Sequence, residues 1–174
     1  MPATDAAFRE FVMSSSPTLL RAAWLLTGDE ALARDLVQAA WERTWNRWDV
    51  VTAADEPLAY VRTVMTSIYL TWRRRRWWGE IPTSAPWSVT AVTDEADDAA
   101  LRTSVAAALG KLSARQRAVV VLRYFLDLTE AQTATELGCS VGSVKAHASR
   151  ALRQLRASHE LDGLWHAEAI DDRR

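Results

Sequence analysis

A chain of 174 residues with 49% apolar and 25% charged side chains has the size of one ordinary domain or two small ones, and the composition of a globular protein. Its single cysteine, Cys139, excludes an internal disulfide and a multi-cysteine zinc site; the three histidines lack HExxH spacing, and no phosphate-cradling glycine motif occurs. The net charge of −1 hides a segregation: residues 1–80 are neutral, 81–100 carry −4, 101–158 carry +6 and 159–174 carry −3. No cofactor or metal is expected. With no apolar run near the roughly 20 residues of a membrane span and no secretion signal, the natural setting is a reducing cytoplasm, without direct membrane insertion.

In chain order, a short helix using Phe8, Phe11 and Val12 precedes a second one opened by Ser16 and Pro17, which stops at Gly28. Asp29 caps a helix over about 30–48, with a wide apolar stripe from Leu32 to Trp48 and a polar face containing Arg34, Asp35, Gln38, Glu42 and Arg43. Residues 49–56 read as a loop. Pro57 opens a further helix with Val61, Val64, Met65, Ile68 and Trp72 on one side, ending in Arg73-Arg74-Arg75-Arg76 and two tryptophans. Seven of the nine tryptophans precede residue 80, and cations interleaved with aromatics suit melted nucleic acid, where bases stack and arginines follow the backbone. A basic helix end is also what the helix dipole favours, and the residues alone leave the two readings equal.

From Gly79 to Ala99 periodicity disappears among Pro, Ser and Thr, followed by an acidic DEADD stretch; this reads as a flexible linker. Beyond it, Val105, Ala108, Leu109 and Leu112 form one helical stripe, Ser113 to Gln116 is a capping box opening a helix through Val119 to Phe125, and Thr129 to Gln132 is a second capping box. Ala134 must be small, Gly138 supplies the turn and Val144 plugs one helix onto the next: a helix-turn-helix. Its second helix presents Ser140, Ser143, Lys145, Ala146, Ser149 and Arg150 outward, in a stretch, 140–158, that contains no acid. Short polar side chains can approach bases, and Arg150 with Arg153 can reach phosphates. The same turn spells a G-x-S-x-G, but a helix rather than a strand precedes Ser140, so a helix cap explains the serine better than an esterase elbow. The expected class is all-α: two small helical domains, 1–78 and 100–158, a linker 79–99 and an acidic tail 159–174.

Three stretches together, residues 28–48, 56–76 and 112–156, resemble the sigma-70 family of RNA polymerase sigma factors, in the extracytoplasmic-function type and its actinobacterial branch. The resemblance implies that the chain is not an enzyme and that its partners are core RNA polymerase, promoter DNA and an anti-sigma factor. It implies that Asp35, Gln38 and Trp41 face the polymerase. It implies that loop 49–56 with Arg62, Thr66, Ser67, Tyr69, Trp72, Arg73, Arg74, Arg75 and Arg76 faces the melted −10 strand. Ser140, Val141, Ser143, Lys145, Ala146, Ser149 and Arg150 are then the −35 readers. Three positions depart from the family pattern: Ala39 where Glu is frequent, Ser67 where Asn is common, and Thr133 where an apolar residue is usual. Two rival readings of the residues are a free-standing helix-turn-helix regulator and an adaptor using the Trp-rich helix.

Overall fold

The computed structural model describes residues 2–77 and 96–158, with side chains for 5–75 and 101–158. All the regular structure among them is helical. The order is α1 (Pro2–Thr27), α2 (Glu30–Trp45), α3 (Trp48–Thr52), α4 (Pro57–Trp77), α5 (Ala96–Gly110), α6 (Ala114–Val120), a π-helical turn (Val121–Phe125), α7 (Glu130–Leu137) and α8 (Val141–Arg156).

Two expectations at the N-terminal end are corrected. The break at Ser16-Pro17 does not occur, because α1 runs unbroken through Pro17. A proline in a helix interior removes one backbone bond and costs about 3 kcal/mol. The core outweighs it: Phe8, Phe11 and Val12 before the proline share a stripe with Leu19, Ala22, Ala23 and Leu26 after it, all packed into one cluster. A break would put the halves out of register. Residues 49–56 are not all loop either. Trp48 and Val51 are buried and anchor the short helix α3, leaving a bend over 53–56.

The other local stop and start signals hold. The Asp29 carboxylate accepts the Leu32 amide at 2.8 Å, Ser113 and Thr129 each complete a capping box, and the Ser140 hydroxyl accepts the Ser143 amide at 3.1 Å. Gly138 closes α7 with φ of 60°, the left-handed conformation that costs other residues about 1–2 kcal/mol. α5 starts at Ala96, so residues 96–99 at the end of the expected linker are helical. The rest of that linker and the tail from 159 lie outside the described residues.

The core crosses the boundary between the units. Ala118 and Val121 of the second unit are buried in the same cluster as Leu26, Val61, Met65 and Tyr69 of the first. The second unit keeps a small cluster of its own around Leu109, Leu112, Ala151 and Leu155.

Candidate nucleic-acid interface

The helix-turn-helix is closed by one small apolar cluster. Val144 on α8 is fully buried against Val119 and Ala134, which fixes the angle at which α8 leaves the turn. Thr133 is also fully buried, and its hydroxyl finds no hydrogen-bond partner among the described residues, so the polar atom replacing a methyl there is uncompensated. With Val144 turned inward, Val141, Lys145 and Ser149 recur every four residues along the outer face, flanked by Ser140, Ala146 and Arg150; all six are exposed and Ser143 is half-buried. Arg153 and Arg156 continue the cationic face. Lys145 Nζ lies 3.5 Å from Glu130 Oε2, and Arg150 Nε donates to the Ala146 carbonyl at 3.1 Å, so both cations are held loosely at the surface. His147, between them, has its pKa lowered by burial and then by the charges of Arg150 and Arg115.

In the first unit Asp35 and Gln38 are exposed on α2, with Gln38 donating to Glu42 Oε1 at 3.2 Å. Trp41 corrects the sequence reading: it is 6% exposed and does not share that surface. Its ring takes edge contacts from Phe8 and Phe11 at 6.0 and 5.6 Å, which is what holds the N-terminal half of α1 onto α2.

Along α4 the candidate residues divide. Ser67, Arg74 and Arg75 are exposed, Trp72 and Arg73 are half-buried, and the Arg76 side chain lies outside the described residues. Arg62, Thr66 and Tyr69 recur at spacings of four and three, so they share one face, and that face is buried. The second unit covers it. Arg62 Nε donates to Glu136 Oε1 on α7 at 2.8 Å, while its Nη2 donates to Glu56 Oε1 at 2.7 Å. Burial opposes the Arg62 charge, but the two carboxylates outweigh it and hold its pKa above the ordinary value. Burial pushes the Glu136 carboxyl up, with Arg62 working against the shift. The Thr66 hydroxyl donates back to the Arg62 carbonyl at 2.6 Å.

Two residues absent from the sequence reading hold this arrangement: Glu136 and Arg117. Arg117 is fully buried and lends its guanidinium to four carbonyls: Leu109 at 2.7 Å, Gly110 at 2.9 Å, Leu112 at 3.3 Å, and Leu26 of α1 at 2.9 Å. It thereby gathers the end of α5 and the end of α1 onto α6, where the helix dipole leaves carbonyls unpaired. Burial lowers its pKa to about 10. The Tyr69 hydroxyl sits beside it, its pKa raised by burial and opposed by Arg117 and Arg73. One signal was present in the sequence: Arg117 lies between Ala114 and Val121 in helical register, on the apolar face.

A basic helix-turn-helix face on one unit and an arginine-rich helix end on the other are features of a nucleic-acid-binding protein. Residues 11–79 match sigma-70 region 2 and residues 102–155 match sigma-70 region 4. The RNA polymerase sigma-E factor of Streptomyces avermitilis is 40% identical over 157 residues, covering 88% of this chain and 85% of that one. The ECF RNA polymerase sigma factor SigL of Mycobacterium tuberculosis is 34% identical over 158 residues, covering 88% and 89%. The chain belongs to the sigma-70 family, as a sigma factor of the extracytoplasmic-function type. Its fold is shared with RpoE of Bartonella quintana, solved with the anti-sigma factor NepR (TM-score 0.72, 23% identity, covering 90% of this chain and 98% of that one). It is shared also with CnrH, solved with the cytosolic domain of CnrY (TM-score 0.64, 23% identity, 91% and 90%). Among the described residues no helix is long and apolar enough to cross a membrane.

Proposed function

We propose a division of labour for this sigma factor in which the first unit, residues 1–78, holds core RNA polymerase and the −10 strand, and the second, from Ala96 to 158, reads the −35 element. Asp35 and Gln38 are the polymerase contacts, with Trp41 acting only through the packing of α1 on α2. Ser67, Trp72 and Arg73 to Arg76 follow the melted strand. On α8, Lys145 with Ser140, Val141, Ser143, Ala146 and Ser149 approaches base edges, and Arg150 holds phosphate. The chain works in the cytoplasm and breaks no bonds; the polymerase does the chemistry. An anti-sigma factor is a further partner, of the kind seen with RpoE.

One observation carries the mechanism: the face of α4 bearing Arg62, Thr66 and Tyr69 is covered by α6 and α7. Those three can meet DNA only when the second unit lifts away, which breaks the Arg62–Glu136 pair and withdraws Arg117 from the Leu26 carbonyl. This is the closed form, and promoter binding selects an open one. The 17 residues 79–95 between the units can span about 55 Å when extended, enough to seat the units on two separate elements. A free-standing helix-turn-helix regulator would leave the whole first unit without a task.

Binding to core polymerase tests the first part. In the double variant Asp35→Ala, Gln38→Ala the affinity for core enzyme, read by fluorescence polarisation, should fall about tenfold or more with unchanged circular dichroism. Unaltered affinity would remove α2 from the polymerase contact.

A further inference from the structure

A cleft of about 1080 Å³ opens where the two units meet, bounded by α4, by the turn from α5 into α6, and by the end of α7. Its lining is cationic from both sides: Arg73 and Arg74 from α4, Lys111 and Arg115 from the second unit. Glu136 is the carboxylate among the lining residues, and it is already turned to Arg62. Leu70, Leu112 and Leu137 add apolar side chains to the lining. A ligand suited to this cleft is an extended chain carrying several carboxylates and a few apolar side chains.

The chain itself contains such a segment. Residues 159–174 hold five carboxylates and two arginines, both arginines at positions 173 and 174, with Leu161, Leu164, Trp165 and Ile170 interleaved. They follow α8 close to the cleft: Gln154 in the last turn of α8 donates to the Lys111 carbonyl at 2.9 Å, so the helix end touches the cleft rim. Sixteen residues reach up to about 50 Å when extended. The other acidic stretch, around Asp97 and Asp98, is less well placed. It sits in the first turn of α5, whose 15 residues put it about 20 Å along the helix from the rim at Gly110 and Lys111.

We infer that the acidic segment 159–174 docks in the cationic cleft between α4, α6 and α7. Tethering gives it a high local concentration, so weak individual contacts suffice. Because it touches both units, it straps the closed form together. The docking stands on charge and placement alone. Its consequence rests on the −10 reading above: Ser67, Arg73 and Arg74 line the cleft and also belong to the single-strand surface, so the docked segment competes with melted DNA.

The test uses the full chain with Glu160→Gln, Asp162→Asn, Glu168→Gln, Asp171→Asn and Asp172→Asn. Hydrogen exchange over residues 110–116 and 135–138 should speed up several-fold, with α2 unchanged, and a synthetic 159–174 peptide added in trans should restore protection. Equal exchange in the two proteins would overturn the docking. A labelled single-stranded oligonucleotide should bind the variant about fivefold more tightly. A second variant, Lys111→Gln with Arg115→Gln, removes two cations yet should also bind more tightly, because it frees the segment. Weaker binding there, as simple attraction between cations and DNA demands, would overturn the competition. Faster cleft exchange with unaltered oligonucleotide affinity in both variants would uphold the docking and remove the −10 role of Arg73 and Arg74.

Discussion

Replacing Glu136 by alanine should open the molecule without unfolding either unit. The carboxylate is the α7 end of the bond to Arg62, at 2.8 Å, and both side chains are nearly inaccessible, at 5% and 8%. Deleting one member of a buried pair costs about 3–5 kcal/mol when the survivor is left alone. Here two features lower that figure. Arg62 keeps Glu56 at 2.7 Å, and Glu136 Oε2 has no hydrogen-bond partner among the described residues, so part of its desolvation is relieved by removing it. About 1–2 kcal/mol remains, a shift of 5- to 30-fold in the ratio of closed to open molecules. Dyes on Arg43→Cys in α2 and Arg156→Cys in α8, in a Cys139→Ser background, would read that ratio by single-molecule energy transfer. The low-transfer population should grow relative to the high-transfer one by that factor, with helix content constant. An unchanged ratio would refute the claim that this pair latches the two units.

Further outcomes follow from the α7–α8 geometry. Lys145→Ala should relax sequence preference on −35 DNA at a cost of about 1–3 kcal/mol, whereas Arg150→Ala should weaken cognate and scrambled DNA alike and lower the salt slope by about one; equal behaviour of the two would remove the base contact from Lys145. Gly138→Ala should destabilise by about 1–2 kcal/mol through backbone strain alone, since φ is +60° and an added Cβ meets nothing within 4 Å; thermal unfolding checks this. His147 is held below its ordinary pKa of 6.5, so the native protein binds fewer protons than the unfolded chain just below that pH. Stability should therefore fall as pH drops below 6.5, and His147→Gln should flatten that part of the urea-midpoint profile.

What could be read from the sequence was local. The caps at Asp29, Ser113, Thr129 and Ser140 each join residues three apart, and Gly138 is a single-residue signal; all are where the sequence places them. Pro17 misled because its local cost is smaller than the tertiary gain from Phe8 and Phe11 against Trp41 and Trp48. The burial of Trp41 and Tyr69 escapes the sequence for a different reason. Helical periodicity tells which residues share a face, but not whether a distant segment covers it. The covering contacts here join residues far apart: Arg62 to Glu136 across 74 positions and Leu26 to Arg117 across 91. Arg117 counts as one more cation in a charge tally, though its surroundings are carbonyls and a tyrosine rather than water. The outward face of α8 was legible because both of its determinants, the Ser140 cap and the buried Val144, lie within four residues of each other.

Run-off transcription by core RNA polymerase on a template carrying both a −10 and a −35 element tests the central claim most directly. With the full chain added, a transcript of fixed start should appear that core enzyme alone does not make. It should weaken when Lys145 and Arg150 are both replaced by alanine. A chain that binds core polymerase yet yields no promoter-dependent transcript from any such template, or one whose start is indifferent to the −35 sequence, would contradict the account.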